Sequence, residues 1–352
     1  MKAKKIKVYV WTWAPPKAPD EEIKAYAEFC KNMGIEGFMW SAGHNPKTYR
    51  RIGKIIKDIG LEFHAWIPTL IQHDNPAIKP EWYALNGLGE SAYDKPPYVS
   101  RYQFVCPNRD EVFDFLAELY KSIAIVEEVD GIHLDYIRFP DVILAPGLWD
   151  KYDLIMDKEY PEYDYCYCAK CVADFMNITG INIKNVSDPS QIKEWKQFRY
   201  DLITDFVNRL SKLIRSKDKK ITAAIFPGPR IAKKNVRQEW DKWEVDALYP
   251  MNYNDFYLQG TKWIGEMCKK AVKAVNDGIP VYSGLFICPN PENKASIIDP
   301  EYLGLLPEEL KAAIKESITN GAAGICLFTP NRMTETHWKI LYSAIHEGYS
   351  NN

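Results

Sequence analysis

The chain has 352 residues, 46% hydrophobic, 26% charged and 13% aromatic, with 45 basic against 47 acidic side chains and a formal charge of -2. This composition excludes disorder and collagen-like repeats, and the length allows either one large core or two smaller domains, because α/β barrels commonly exceed the usual ~100–200 residues per domain. Near-neutrality, with no Lys/Arg block beyond the KAKKIK start, gives no electrostatic reason for nucleic acid or an anionic membrane to be the main partner, and no apolar run approaches the ~18 residues of a membrane span.

In chain order, KIKVYVWTW (5–13) predicts a strand, followed by a helix capped by Asp20, with an apolar stripe at Ile23, Ala27 and Cys30 and a stop at Gly34. GIEGFMW (34–40) predicts the second strand, and Ile52, Ile55, Ile56 and Ile59 mark one face of the helix that ends at Gly60. LEFHAWI (61–67) is a third strand whose helix begins only near Asn108. VDGIHLDYI (129–137) is the fourth, followed by an irregular stretch to about Pro189 and then a helix carrying Trp195, Phe198, Leu202, Phe206 and Leu210. KITAAIF (220–226), VDALYPMNY (245–253), IPVYSGLF (279–286) and GAAGICLF (321–328) supply strands five to eight, with helices near 258–277, 306–320 and 334–347.

Eight strands alternating with helices, without a linker or composition break, predict one (β/α)8 TIM barrel spanning residues 1–352; a six-stranded open sheet is the alternative. No Gly-rich phosphate loop accompanies them. The long insertions, about 68–107 and 138–190, follow strands three and four and would stand on the C-terminal face, where barrel active sites are built. The basic N-terminus runs into a strand-like alternation rather than a signal-peptide core, so the expectation is a cytosolic protein or an exported one whose signal has been removed.

The period of two in VDGIHLDYIRFP puts Ile132, Leu134 and Tyr136 toward the helices, and Gly131, His133 and Asp135 into the barrel. Asp135 at the strand end is the candidate nucleophile or acid/base, whereas Asp130 at the strand start fits a structural acceptor. The same parity turns His64 and Trp66 inward. Trp11, Trp13, Trp40 and Trp66 lie at the ends of the first three strands, where flat apolar rings can stack on the C–H face of a sugar, with core packing as the rival role for any one of them. Alternation in ALYPMNYND aligns Tyr249, Met251 and Tyr253, and leaves Asp255 beside them as a second candidate carboxylate or a solvated loop acid. Glu90, Asp94 and Glu335 are the further candidates for that role. His133 and His64 would hold a hydroxyl or tune Asp135, and Arg138 would orient a carboxylate or close an ion pair.

GLEFHAWI, PEW, CPNRDEVFDFL, VDGIHLDYIRFP and VDALYPMNY together, in this order, resemble the glycosyl hydrolase-like family ten proteins of bacteria over roughly residues 5–340. That resemblance implies a TIM barrel acting on glycosidic bonds, in proteins that are often exported. DGIHLDYIRFP is also similar to the fourth-strand Asp-x-Glu motif of glycoside hydrolase family 18, and MNYN to that family's Met-x-Tyr-Asp. This matches Asp135 to the motif's last Asp and Tyr253 to its Tyr, but Ile137 stands at the catalytic Glu and Asn254 at the final Asp. DGIHLD resembles the fourth strand of the α-amylase group too, with Asp135 at the nucleophile and His133 replacing Arg; neither the fifth nor the seventh strand ends in the carboxylate of that group.

Cys166, Cys168 and Cys171 in YCYCAKCVADF have zinc-knuckle-like spacing; a structural zinc would need a fourth ligand, with Cys106 on the other insertion as the candidate, and a disulfide or free thiols are the alternatives. The other cysteines read as buried apolar residues. No HExxH motif points to catalytic zinc, so no cofactor is expected for catalysis. The expected function is hydrolysis of glycosidic bonds in an oligo- or polysaccharide. A non-catalytic glycan-binding barrel is the leading alternative, and a metal-dependent amide or ester hydrolase a third class.

Overall fold

A computed structural model describes residues 6–14, 17–73, 75–275, 278–289 and 303–347. The basic start at residues 1–5, including the first residue of the expected 5–13 strand, and the last two residues of the expected 258–277 helix lie outside the described residues.

Eight parallel strands form one sheet in the order β6-β5-β4-β3-β2-β1-β8-β7. They are β1 (Lys7–Trp13), β2 (Gly37–Ser41), β3 (Glu62–Pro68), β4 (Gly131–Asp135), β5 (Lys220–Ile225), β6 (Ala247–Pro250), β7 (Tyr282–Phe286) and β8 (Gly324–Phe328). Parallel bridges Leu248 to Val281 and Met251 to Gly284 join β6 to β7 and close the ring. Nine helices of eight or more residues are seen among the described residues: α1 (Asp20–Asn32), α2 (Pro46–Ile59), α3 (Asp110–Ala124), α4 (Ala169–Thr179), α5 (Lys193–Arg215), α6 (Pro229–Val236), α7 (Thr261–Ala274), α8 (Pro307–Thr319) and α9 (Glu335–Glu347). This is a (β/α)8 barrel. No described helix is long and apolar enough to cross a membrane.

Local chemistry sets the element ends. Asn45 accepts a hydrogen bond from Lys47 N at the start of α2, Pro46 occupies its first position, and Gly60 at φ 84° ends it in the left-handed conformation. At α1 the cap position is Pro19, not Asp20; Asp20 is the first helical residue and pairs with Arg51. Two helices depart from the sequence reading. α4 forms inside the stretch expected to be irregular, and α6 fills the connection between β5 and β6, where no helix was expected.

Alternation along the strands separates two apolar layers. Val8, Val10, Phe38, Trp40, Phe63, Ala65, Ile132 and Leu134 face the helices in the outer core. Tyr9, Trp11, Met39, Ala224, Ala247, Tyr249, Tyr282 and Cys326 fill the barrel. Space for the large inner rings comes from glycines on other strands: a Cβ on Gly284 would lie 2.8 Å from the Trp11 ring, and one on Gly131 would lie 2.7 Å from His64 Nδ1.

Residues 69–109 connect β3 to α3, and residues 136–192 connect β4 to α5, so both long connections leave the C-terminal ends of their strands. They meet at the antiparallel bridge of Asn86 with Tyr165. The second has a small core of Ile143, Leu144 and Met156. A buried ion cluster ties it to the barrel: Asp164 pairs with Arg199 on α5 and with Arg237 after α6, and Arg237 also pairs with Glu159. Buried charges persist only when paired in this way.

Candidate functional site

The fourth strand delivers Asp135 to the barrel mouth. Register pairs Asp135 with Pro68, the last residue of β3, and the carboxylate is 8% exposed. Trp66 Nε1 donates to its Oδ2 at 2.9 Å, and its own neighbour Tyr136 donates backbone N–H to Oδ1 at 2.7 Å. That second bond depends on Tyr136 turning to φ 47°, a left-handed conformation uncommon outside glycine, at the point where the strand stops. Burial raises the Asp135 pKa above the ordinary carboxylate range, although both hydrogen bonds and the charge of Arg138 oppose the shift. A carboxyl so placed holds its proton to higher pH, as a proton donor requires.

Aromatic rings surround this acid. Trp13 is 46% exposed at the rim, with its ring 6.5 Å from Trp66 and 6.1 Å from Phe328. Tyr253 lies 5.0 Å from Phe286 and 6.4 Å from Phe328, and burial, with the Asp135 charge next, raises its hydroxyl pKa strongly. β6 ends at Pro250, so Tyr253 reaches the mouth from a turn rather than from the strand alternation expected for it. Phe286 and Phe328, stacked at 5.7 Å, continue the lining between Trp13 and Tyr253. The sequence reading followed tryptophan and missed these two, although β7 and β8 both end in Phe.

Other expected site residues lie elsewhere. Trp40 faces the helices, packed on Tyr26, Phe38 and Phe63, and does not reach the barrel interior. The reason is parity: Trp40 shares a face with Phe38, and Met39 between them points inward. Trp11, His133 and Tyr249 are enclosed below the mouth. Trp11 Nε1 donates to His133 Nε2 at 2.9 Å, so the imidazole carries its proton on Nδ1, which donates to Thr222 Oγ1 at 2.8 Å. Tyr249 stacks on Tyr282 at 4.9 Å and sets its edge 5.0 Å from His133. Burial, then the neighbouring His64, pushes the His133 pKa well below its usual value and keeps it neutral.

His64 points inward too, but in register with Gly131, four positions before Asp135. At ~3.3 Å per residue it sits about 13 Å below the acid, too far to tune it directly. There it donates to Glu62 at 3.2 Å, and that bond is the main cause of a Glu62 pKa lowered to about 2.

Arg138 is enclosed by the rings of Tyr102, Phe104, Tyr136 and Phe226, with its guanidinium carbon 5.0–5.8 Å from their centroids, and it pairs with buried Asp141 at 2.9 Å. It is thus a buried, ion-paired positive charge whose field acts on Asp135. Asp255 lies on the short helical turn Asn254–Tyr257 and accepts from Gly304 N at 2.9 Å and from Asn254 Nδ2 at 3.0 Å, bridging the loops after β6 and β7. Glu90 pairs with Lys95 and Asn86 within the first insertion, and Glu335 pairs with Lys339 on α9. Asp130 accepts from Phe63 N at 2.8 Å and pairs with Lys57, the structural acceptor expected of it.

Cys106 lies among the three clustered cysteines. The sulfur atoms of Cys106, Cys166, Cys168 and Cys171 are all within 4.8 Å of one another and all four residues are buried. Two concavities lie away from the strand ends: about 460 Å³ between the insertions, beside Asn86, Pro161 and Ser187, and about 760 Å³ near the strand starts, beside Ile6, Glu36 and Glu62.

No family model matches the chain, and no curated protein matches its sequence. Solved structures match throughout its length. The glycoside hydrolase domain of PgaB (BpsB) from Bordetella bronchiseptica superposes with a TM-score of 0.67 at 12% identity, covering 97% of this chain and 99% of that one. The chain shares the barrel fold of that domain. The catalytic domain of a β-amylase from Paenibacillus polymyxa gives a TM-score of 0.63 at 10% identity, over 99% and 100% of the two chains. A class V chitinase from Pseudomonas fluorescens gives 0.53 at 11% identity, over 97% and 99%.

Proposed function

We propose that this protein is a glycosidase that hydrolyses glycosidic bonds in an oligo- or polysaccharide, with Asp135 as the proton donor to the leaving oxygen. The observation that carries the reading is one arrangement: a buried carboxyl with a raised pKa, at the C-terminal end of β4, hydrogen-bonded by a tryptophan of a mouth lined with aromatic rings. Trp13, Trp66 and Tyr253 would receive the apolar faces of sugar rings. The resemblance of VDGIHLDYIRFP and its companion segments to glycosyl hydrolase-like family ten supports the same reaction class, as does the likeness to glycoside hydrolase barrels. Fold alone leaves function to the site, so the reading rests on the chemistry proposed for Asp135.

The acid would protonate the glycosidic oxygen as the C–O bond breaks, and an oxocarbenium-like centre would develop under the aromatic rim. Asp255 is our choice for the second carboxylate. Its hydrogen bonds from Gly304 and Asn254 fix its orientation on the loop after β6, as a base or nucleophile would need. No metal or organic cofactor is assigned a role in this scheme.

A non-catalytic glycan-binding barrel is the second reading, favoured by Ile137 where the family 18 motif carries its catalytic Glu. Binding set beside turnover separates the two. Isothermal titration with candidate oligosaccharides should show that Asp135→Asn binds a glycan which the parent consumes. A parent that binds the same glycan for hours and leaves it intact would favour the binding protein.

A further inference from the structure

We infer that Cys106, Cys166, Cys168 and Cys171 form a structural zinc site that staples the two long insertions together. The four residues come from two connections: Cys106 from the loop between β3 and α3, and the other three from the loop between β4 and α5. The chain brings their sulfur atoms together at one buried point, with Cys106 Sγ 3.6 Å from Cys168 Sγ and 3.5 Å from Cys171 Sγ. A tetrahedral zinc with bonds of ~2.3 Å holds its sulfurs about 3.8 Å apart, so one ion fits the gap with small adjustments. A multi-iron cluster does not, because its own atoms must stand between the sulfurs.

Donor chemistry agrees with geometry. Four thiols and no carboxylate make a soft donor set, the type that selects zinc over calcium, magnesium or manganese. Cys168 is the cap residue of α4 and Cys171 lies in its first turn, where the positive end of the helix stabilises thiolate charge. The surroundings already hold the ligands in place. Asn108, two residues after Cys106, donates to Asp174 on α4 at 2.8 Å, and Lys170 pairs with the same carboxylate. The two insertions therefore touch on either side of the sulfurs, at the Asn86–Tyr165 bridge and at Asn108–Asp174.

The site is linked through the chain to the surroundings of the candidate acid. Phe104, two residues before Cys106, is one of the rings that enclose Arg138, and the charge of Arg138 acts on Asp135. Zinc would thus fix the wall of the mouth without taking part in the reaction. The inference concerns the metal and does not depend on the proposed glycosidase activity.

The test is elemental analysis and native mass spectrometry of the full chain purified under reducing conditions, with cobalt substitution of the same protein. One zinc per chain, and the visible bands of a tetrahedral cobalt tetrathiolate after exchange, are the expected results. Cys106→Ser and Cys171→Ser should each lose the metal, and Cys30→Ser, at a lone buried cysteine on α1, should keep it. The parent protein decides the matter even where a variant fails to fold. Metal-free parent whose four cysteines alkylate as free thiols, four cysteines joined in two disulfides, or iron in place of zinc would each overturn the assignment.

Discussion

Trp66 Nε1 and Asp135 Oδ2 lie 2.9 Å apart, a hydrogen bond that joins the end of β3 to the end of β4 at the barrel mouth. The bond favours the ionised carboxylate, while burial favours the protonated one, and burial prevails. Replacing Trp66 by Phe keeps a flat ring and removes the N–H. The Asp135 pKa then rises further, so the alkaline limb of the kcat/KM profile should move to higher pH in Trp66→Phe. An unchanged limb would mean that Asp135 does not set it.

Stability should follow the same acid with a defined sign. A carboxyl whose folded pKa is raised binds more protons in the native state than in the unfolded chain at pH values between its ordinary pKa, near 3.9, and the raised one. Stability from this group is therefore fully present below the ordinary value and is lost as pH rises through the folded pKa. Across that window the parent should lose stability relative to Asp135→Asn, measured by urea denaturation at a series of pH values. Parallel curves would contradict the shift.

His133 predicts the opposite slope. Its pKa is depressed by burial, so below about 6.5 the unfolded chain takes up a proton that the native barrel refuses, and stability falls as pH falls. His133→Gln should flatten that part of the curve. Removing the imidazole with His133→Ala should cost about 2–4 kcal/mol, because it empties a packed position and leaves the Trp11 indole N–H without its acceptor.

The tryptophans divide into two classes with different readouts. Trp13→Ala at the rim should raise KM about 2–10-fold, the size of a lost ring stack of ~0.5–1.5 kcal/mol, with the thermal midpoint little changed. Trp40→Ala should leave KM alone and destabilise by about 3–5 kcal/mol, since that ring is packed between sheet and helices. A KM effect at Trp40 would contradict its placement.

Asp255→Asn separates chemistry from tethering. As the second carboxylate, its loss should lower kcat by roughly 10²–10⁴-fold while the thermal midpoint stays near that of the parent. A lowered midpoint with kcat retained would make Asp255 only a loop bridge to Gly304.

Much of the barrel was legible in the sequence because period-two alternation records which face of a strand is buried. His133 and Asp135 point inward as that rule requires, and Ile132 and Leu134 outward. Trp40 was misplaced because a strand-end position outweighed parity, although Phe38 two residues earlier already marked its face. α6 is only eight residues long and α4 eleven, too short for a clear helical period, but Gly228-Pro229 at the start of α6 was an available signal. The enclosure of Arg138 draws on Tyr102, Phe104, Tyr136 and Phe226, residues from three separate connections, and no local pattern brings these together. The height of His64 below Asp135 depended on the stagger between β3 and β4, which a single strand does not encode.

The most direct test of the account compares the parent with Asp135→Asn on a broad panel of polysaccharides, with new reducing-end products detected by mass spectrometry. The account predicts products from the parent and a loss of at least roughly 10²-fold in the variant, the scale of a missing proton donor. Equal product formation by both proteins would remove Asp135 from the chemistry and contradict the account.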